Sequence, residues 1–260
     1  MHSILEKIVV YKRDEVDADR QKVSLADQQA RLRDAAPVRD FLSAINASSS
    51  MALIAEVKKA SPSKGVIRAD FDPIDIARQY EAAGADCISV LTDTHFFQGH
   101  LDYLTSIRSV VDVPLLRKDF VIDPYQVYQA RAAGADAVLL IAECLSREML
   151  IELHRLIYEL GMTALVEFYD YANLDKVMAC DPKLVGVNNR DLNTFEVNLQ
   201  HSMAMRRELP ENLCFVSESG IDSRQDMEIL ENGNVDAVLV GESLMRSDNI
   251  GKAIHSLRIG

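Results

Sequence analysis

Short apolar runs alternate with longer amphipathic stretches along most of the chain. Eight runs of four to six residues follow residue 50, at 52–57, 87–91, 113–116, 137–142, 163–166, 184–187, 213–216 and 237–240. Apolar residues at consecutive positions are typical of strands that are buried on both faces. Since a helical pattern separates each run from the next, the chain is predicted to form parallel βαβ units.

A short internal repeat supports this interpretation and sets its period. The sequence Ala-Ala-Gly-Ala-Asp occurs at 82–86 and again at 132–136, 50 residues later. Two βα units in this length is the spacing of an eight-stranded barrel. We therefore expect an α/β fold, a (β/α)8 TIM barrel. An open doubly wound sheet is the alternative, and it is less favoured because no G-x-G-x-x-G follows the first run.

The first 48 residues have a helical pattern instead of a strand pattern. Ser3 and Glu6 fit a capping box, and Pro37 begins a second stretch of apolar residues at helical spacing. The Ser-rich segment 46–50 is too short to separate independent domains. We expect residues 1–260 to form one barrel domain, with 1–48 as an N-terminal helical extension over the barrel mouth.

Composition excludes several classes of function. The chain has 28 Lys and Arg against 40 Asp and Glu, a net charge of −12, which disfavours nucleic acid as a partner. No apolar run approaches the ~18 residues of a membrane helix, and the mixed charges from Glu6 onward are not the pattern expected of a secretory signal. The four cysteines show no metal-ligand spacing and are expected to be buried thiols in the cytoplasm.

Polar residues follow several of the predicted strands, at the end where β/α barrels place their active sites. Glu56 and Lys58 are two positions apart, so they share one face of the first strand, whereas Lys59 and Arg117 are expected to point outward or to the rim. The polar residues at the other strand ends are Lys118, Glu167, Asn188, Arg190 and Glu218. One such charge is usually a structural ion pair, but convergence from several strands predicts an active site.

The last two strands are followed by glycine-containing turns. Ser219-Gly220 and Gly241-Glu242 each place a glycine where a strand turns into a helix. Backbone N–H groups at such turns bind phosphate, and this barrel fold commonly uses these two loops for it. We expect Glu242 to serve through its backbone, because its carboxylate would repel a phosphate.

Six motifs give the chain a family resemblance. They are AEVKKASPSKG at 55–65, VLTD through FQG at 90–99, LRKDF at 116–120, VNNRDL at 187–192, SESGI at 217–221 and VGESLM at 240–245. In this order and at this spacing, the chain resembles the indole-3-glycerol phosphate synthases from about residue 50 to 247. One departure is His95, where many members have lysine.

The resemblance implies a small anionic phosphosugar substrate, 1-(2-carboxyphenylamino)-1-deoxyribulose 5-phosphate, and a carboxy-lyase reaction of tryptophan biosynthesis. The substrate undergoes ring closure, decarboxylation and dehydration without a metal or organic cofactor, in a monomer or weak homo-oligomer. The residues that match the family's catalytic positions are Lys118, Glu167, Lys58, Glu56 and Asn188. The expected substrate contacts are Arg190, Ser61, Phe97, Glu218 and Ser219, with Ser61, Gly220, Gly241 and Glu242 at the phosphate.

Ring closure needs an acid at the substrate ketone. We expect Lys118 to be this acid, with a pKa lowered by neighbouring cations, and Lys58 to hold the substrate carboxylate. The division of acid roles between these two lysines stays open at this point. Two rival interpretations are a different phosphosugar barrel enzyme, such as phosphoribosylanthranilate isomerase, and a barrel that only binds a phosphorylated metabolite or a protein.

Overall fold

A computed structural model describes residues 4–191 and 194–259 of the chain. Eight parallel strands form a closed barrel, in which strands that follow one another along the chain are neighbours and the first strand pairs with the last. The barrel strands are β1 (Ala52–Val57), β4 (Cys87–Leu91), β5 (Leu115–Lys118), β6 (Ala137–Ile141), β7 (Thr163–Phe168), β8 (Leu184–Asn188), β9 (Cys214–Glu218) and β10 (Ala237–Val240). The predicted barrel is therefore confirmed, and the open sheet is wrong.

The loop after β1 contains a small antiparallel pair, β2 (Ala60–Ser61) and β3 (Gly65–Val66). The helices are α1 (Ile4–Lys22), α2 (Leu25–Arg31), α3 (Phe41–Asn46), α4 (Pro73–Ala82), α5 (Thr94–Phe97), α6 (Leu101–Arg108), α7 (Pro124–Ala132), α8 (Arg147–Glu159), α9 (Leu174–Met178), α10 (Gln200–Arg206), α11 (Arg224–Glu231), α12 (Glu242–Arg246) and α13 (Ile250–Arg258). In the described part of the chain, no helix has the length and apolar character needed to cross a membrane.

The strands alternate between two apolar cores. In β1, Ala52 and Ile54 belong to the core inside the barrel, whereas Leu53, Ala55 and Val57 pack in the layer between strands and helices. The same period of two runs through the other strands. Any polar residue that continues the inward series of its strand therefore points into the barrel mouth.

Some predicted boundaries differ from the structure for physical reasons. Strands β7 and β8 extend to Phe168 and Asn188, beyond the apolar runs that predicted them. The polar, inward-facing residues at their ends still pair with the neighbouring strands of the barrel. The helix predicted from Pro37 begins only at Phe41, where the side chain of Asp40 caps it. The capping box predicted from Ser3 lies outside the described residues.

The N-terminal helices are divided between the two ends of the barrel. Ile4, Leu5 and Ile8 of α1 line the pocket at the mouth. Phe41 and Ile45 of α3 are buried among the first residues of the strands, at the opposite end. The sequence alone placed the whole segment over the mouth, since an amphipathic pattern does not show which end of the barrel its apolar face covers.

Candidate active site

One pocket at the C-terminal ends of the strands collects the predicted site residues. It encloses about 990 Å³ of space, its open mouth included. The predicted residues that line it are Glu56, Lys58, Ser61, Phe97, Lys118, Glu167, Asn188, Arg190, Glu218, Ser219, Gly241 and Glu242. Gly220 is not among the lining residues, and it directly follows Ser219.

Lys118 lies among three carboxylates. Its Nζ is 3.2 Å from Glu218 Oε2, 3.4 Å from Glu167 Oε2 and 3.9 Å from Glu56 Oε1. Burial by itself would lower the pKa of Lys118, but attraction by Glu167, Glu218 and Glu56 outweighs it and raises this pKa above its ordinary value. The predicted lowering of the Lys118 pKa is therefore wrong, because its nearest charged neighbours are anions.

Glu56 connects the two pocket lysines. Its Oε2 is 2.7 Å from Lys58 Nζ, and its Oε1 faces Lys118. Burial would raise the pKa of Glu56, but the attraction of Lys58 and Lys118 prevails and lowers it, so the carboxylate stays ionised. Gly241 leaves the room for this carboxylate, since a Cβ there would collide with Glu56 Oε2.

Glu218 is a buried carboxyl group of the pocket, with only 1% of its surface exposed. Burial and the nearby charge of Glu167 raise its pKa well above the ordinary value, against the attraction of Lys118. Gly186 makes space for it, because a Cβ at this position would collide with Glu218 Oε1. Sequence reasoning missed Gly186, although a glycine inside an apolar strand often marks such a close approach.

Asn188, at the end of β8, and Arg190, in the loop after it, reach two different sides of the pocket. Asn188 Nδ2 donates to Glu167 Oε1 at 3.3 Å, and the backbone N–H of Arg190 donates to Asn188 Oδ1 at 3.0 Å. The guanidinium of Arg190 reaches Glu242 Oε2 at 3.3 Å. Asn188 therefore orients Glu167, while Arg190 extends toward the corner formed by β9 and β10.

That corner combines a left-handed stretch of backbone with a buried hydroxyl group. Ser219 and Gly220 both have positive φ angles, of 70° and 75°. The Ser61 Oγ is buried and has no hydrogen-bond partner among the described residues. The Glu242 carboxylate pairs with three cations that surround it, Arg190, Arg246 and Lys64. The side chain of Glu242 is thus held by ion pairs at the start of α12.

An apolar wall faces these charges. Ile4, Leu5 and Ile8 of α1 form part of it. Phe97 lies 6.0 Å from Phe120, measured between the two ring centroids. Other apolar residues that line the pocket include Leu91, Leu139, Ile141, Phe195 and Leu239. The alternation of inward and outward residues along β6 and β10 could have identified Leu139 and Leu239 as pocket residues. Phe120 and Phe195 lie on loops, where the sequence shows no such alternation.

A second charged cluster lies beside the pocket, and sequence reasoning missed it. Lys12 of α1 is fully buried, 2.8 Å from Asp93 Oδ2 and 2.9 Å from Asp119 Oδ1. The signal in the sequence is a lysine at four-residue spacing from Ile8 and Val16, in the middle of an apolar face. Such a pattern usually indicates a long side chain that reaches solvent, so the partners were needed to recognise this one.

His95, which stands where many members of the family that the sequence resembles have lysine, also contacts α1. The imidazole ring stacks on Tyr11, with 4.1 Å between ring centroids, and Phe96 packs against both rings edge-on.

The four cysteines are free thiols. Within residues 4–191 and 194–259, no group of three His, Cys, Asp or Glu has a geometry that could hold a metal ion.

Comparison with protein families gives one consistent result. The sequence profile of a family described as indole-3-glycerol phosphate synthase matches residues 5–257. A protein of that name from Rhodopirellula baltica is 51% identical over 255 residues, covering 98% of both chains. Another from Alkaliphilus metalliredigens is 44% identical, covering 99% of this chain and 98% of its relative.

Solved structures share the fold at low sequence identity. A 3-hexulose-6-phosphate synthase superposes with a TM-score of 0.64 at 14% identity, over 80% of this chain and 98% of the other. KGPDC from Streptococcus mutans has a TM-score of 0.62 at 13% identity, over 79% and 94% of the two chains. At this identity the likeness shows the barrel fold alone.

Proposed function

The chain belongs to the indole-3-glycerol phosphate synthase family, and from this premise we propose how its pocket carries out the reaction. The substrate is 1-(2-carboxyphenylamino)-1-deoxyribulose 5-phosphate, and the product is indole-3-glycerol phosphate. The ring carbon that bears the carboxylate attacks the ketone carbon of the sugar chain. Carbon dioxide leaves to restore the aromatic ring, and one water molecule then leaves to form the indole.

The position of Lys118 is the observation that carries the assignment of roles. An aromatic carbon is a weak nucleophile, so the ketone oxygen must be protonated as the new bond forms. The three carboxylates around Lys118 keep its ammonium charged in the free pocket. Lys118 therefore enters the reaction with its proton, and we assign it the role of acid for ring closure.

Lys58 would hold the substrate carboxylate until decarboxylation. It lies in the same pocket and is positioned by its ion pair with Glu56, which stays ionised. A carboxylate bound to Lys58 would leave the apolar wall free for the aromatic ring, with Phe97 beside it. Glu56 can also help in the dehydration, because it stays ionised and can accept a proton.

Glu167 is the proposed base, or the stabiliser of the cationic intermediate, since it faces Lys118 and is oriented by Asn188. Glu218 has a raised pKa and holds its proton more readily than an ordinary carboxyl group. In its protonated form it can donate a hydrogen bond to a substrate oxygen, in accordance with its expected role in substrate binding. Arg190 would contact the anionic and hydroxyl groups.

The phosphate would bind at the corner between β9 and β10. The free hydroxyl of Ser61 and the backbone of Ser219, Gly220 and Gly241 supply donors there. The Glu242 carboxylate is already held by cations and would bind only through its backbone N–H.

Four further properties belong to the same proposal. Residues 1–260 act as one barrel domain with an N-terminal extension. The protein works in the cytoplasm, as a monomer or weak homo-oligomer, and without a nucleic-acid partner, because its net charge of −12 repels phosphate backbones. Gel filtration with light scattering measures the oligomeric state.

The test is to incubate the purified protein with the substrate and to follow indole fluorescence together with carbon dioxide release. Both signals should rise in a ratio of one to one and persist in excess EDTA. Phosphoribosylanthranilate should not be isomerised. Substrate binding without either signal would indicate a barrel that only binds, and isomerisation without carbon dioxide would indicate the rival enzyme.

A further inference from the structure

Lys12 is a lysine without access to solvent. Its side chain is 0% exposed, and it lies between Ile8 and Val16 on the buried face of α1. An unpaired ammonium in such a place would cost several kcal/mol, so its partners must offset its burial. Three carboxylates do so, those of Asp93 at 2.8 Å, Asp119 at 2.9 Å and Glu15 at 2.8 Å.

Asp119 connects Lys12 to the strand that carries the proposed acid. It directly follows Lys118, and its Oδ2 accepts hydrogen bonds from Thr92 at 2.5 Å and from Arg117 at 3.0 Å. Burial would raise the pKa of Asp119, but Lys12 and Arg117 hold it well below its ordinary value. The strand end at Lys118 is therefore anchored to α1 by an ion pair that persists through the working pH range.

Asp93 connects Lys12 to a second wall of the pocket. Its Oδ1 accepts from the backbone N–H of Phe96 at 2.7 Å and so caps α5, the short helix that ends at Phe97. The other oxygen of Asp93 faces Lys12. The position of the Phe97 ring thus depends on the same ammonium.

The third wall is α1 itself. Ile4, Leu5 and Ile8 line the pocket, and Lys12 lies one turn beyond Ile8 on the same face. We propose that Lys12 is a positioning residue, which joins α1, the Phe97 loop and the Lys118 strand end into one rigid pocket without contacting substrate. This inference rests on the proposed function, because the three walls are those assigned to the aromatic ring and the acid.

The variant Lys12→Met tests this role. It keeps the length of the side chain and its apolar contacts but removes the charge that holds the three walls. Misplaced pocket walls typically cost about 10- to 100-fold in kcat/KM, and we expect most of this loss in KM. Amide hydrogen exchange in residues 5–12 should become faster, because α1 loses its anchor.

Lys22→Met is the matched control on the same helix. Lys22 is 73% exposed and pairs only with Asp19, at 3.1 Å, in the described contacts. Its kcat and KM should stay within about twofold of the parent, since such surface changes alter free energies by roughly 0.5 kcal/mol or less. Lys12→Met with parental KM, kcat and exchange in residues 5–12 would overturn the proposal.

A second variant separates the lost anchor from the repulsion of the carboxylates left behind. In Lys12→Met/Asp93→Asn, one buried negative charge is also removed, while the amide oxygen introduced at position 93 can still accept from the backbone N–H of Phe96. This variant should melt at a higher temperature than Lys12→Met, and its KM should remain raised. Restoration of KM to the parental value would overturn the proposal, as would failure of both variants to fold.

The two readouts also separate this inference from the proposed function. Hydrogen exchange requires no substrate, so it tests the anchor even in a protein that forms no indole. A parent without activity would sink the proposed function and leave the exchange comparison valid.

Discussion

Replacement of Lys118 by methionine removes the one ammonium that three pocket carboxylates share. Glu218, Glu167 and Glu56 lie 3.2, 3.4 and 3.9 Å from it. Loss of a positioned general acid lowers the rate by ~10²–10⁴-fold. At ~1.36 kcal/mol per factor of ten, this is ~2.7–5.4 kcal/mol of lost transition-state stabilisation. We expect the loss in kcat, with less change in KM, because the phosphate and carboxylate contacts remain.

The same change should destabilise the fold in a pH-dependent way. Removal of one partner from a buried ion pair costs ~3–5 kcal/mol, because the remaining charge is uncompensated. Without Lys118, the attraction that opposes the burial of Glu56 and Glu218 is lost, so the folded-state pKa values of both groups rise. The loss of stability should therefore be greatest at high pH and should shrink as the pH falls below about 4, where Glu56 and Glu218 become protonated in both the folded and the unfolded state.

Steady-state kinetics by indole fluorescence and urea unfolding at several pH values measure the two effects. Lys58→Met is the comparison inside the same pocket, and it should change KM at least as much as kcat if Lys58 holds the substrate carboxylate. Circular dichroism at the assay temperature shows that each variant is folded. A Lys118→Met enzyme with nearly parental kcat would refute the acid role and transfer it to Lys58, and a pH-independent loss of stability would refute the electrostatic reasoning.

Three other predictions concern other parts of the molecule. A chain that begins at residue 35 lacks α1 and α2 but keeps α3 at the far end of the barrel, so circular dichroism should show a folded protein while kinetics show a strongly raised KM. Gly220→Ala should weaken binding of inorganic phosphate in calorimetry, because its φ of +75° and the nearby Val197 both oppose a side chain; unchanged affinity would place the phosphate elsewhere. The raised pKa of Glu218 contributes stability below its unfolded pKa that is lost as pH rises through its folded value. Glu218→Gln should remove this part of the pH dependence of unfolding, and an unchanged profile would contradict the raised pKa.

The direction of each side chain in the barrel was accessible from the sequence. A strand has a period of two, so the inward position of Ile54 on β1 also determines the inward direction of Glu56 and Lys58. Arg117 was correctly expected to point away from the barrel axis, where it binds Asp119 and the backbone carbonyl of Gln126. The N-caps of α4 and α7 are equally local features, since the carboxylates of Asp72 and Asp123 each accept hydrogen bonds from the first turn of their own helix.

The electrostatics of the pocket were not accessible in this way. A pKa depends on distances between groups on different strands, and sequence spacing does not measure them. The strand ends supplied cations and anions together, and only the closed barrel placed Glu56, Glu167 and Glu218 around Lys118. The sign of the pKa shift of Lys118 follows from that arrangement, which is why the sequence led to the opposite expectation.

By itself, the sequence determined the features that depend on local periodicity and on motifs: the eight βα units, the inward face of each strand, the turns at Gly220 and Gly241, and the family. The tertiary structure decided which distant groups meet. It placed α3 at the far end of the barrel, buried Lys12 between Asp93 and Asp119, and used Gly186 and Gly241 to make room for carboxylates. The physical reason is that backbone geometry repeats along the chain, whereas Coulomb energy and close packing depend on separations in space between residues far apart in sequence.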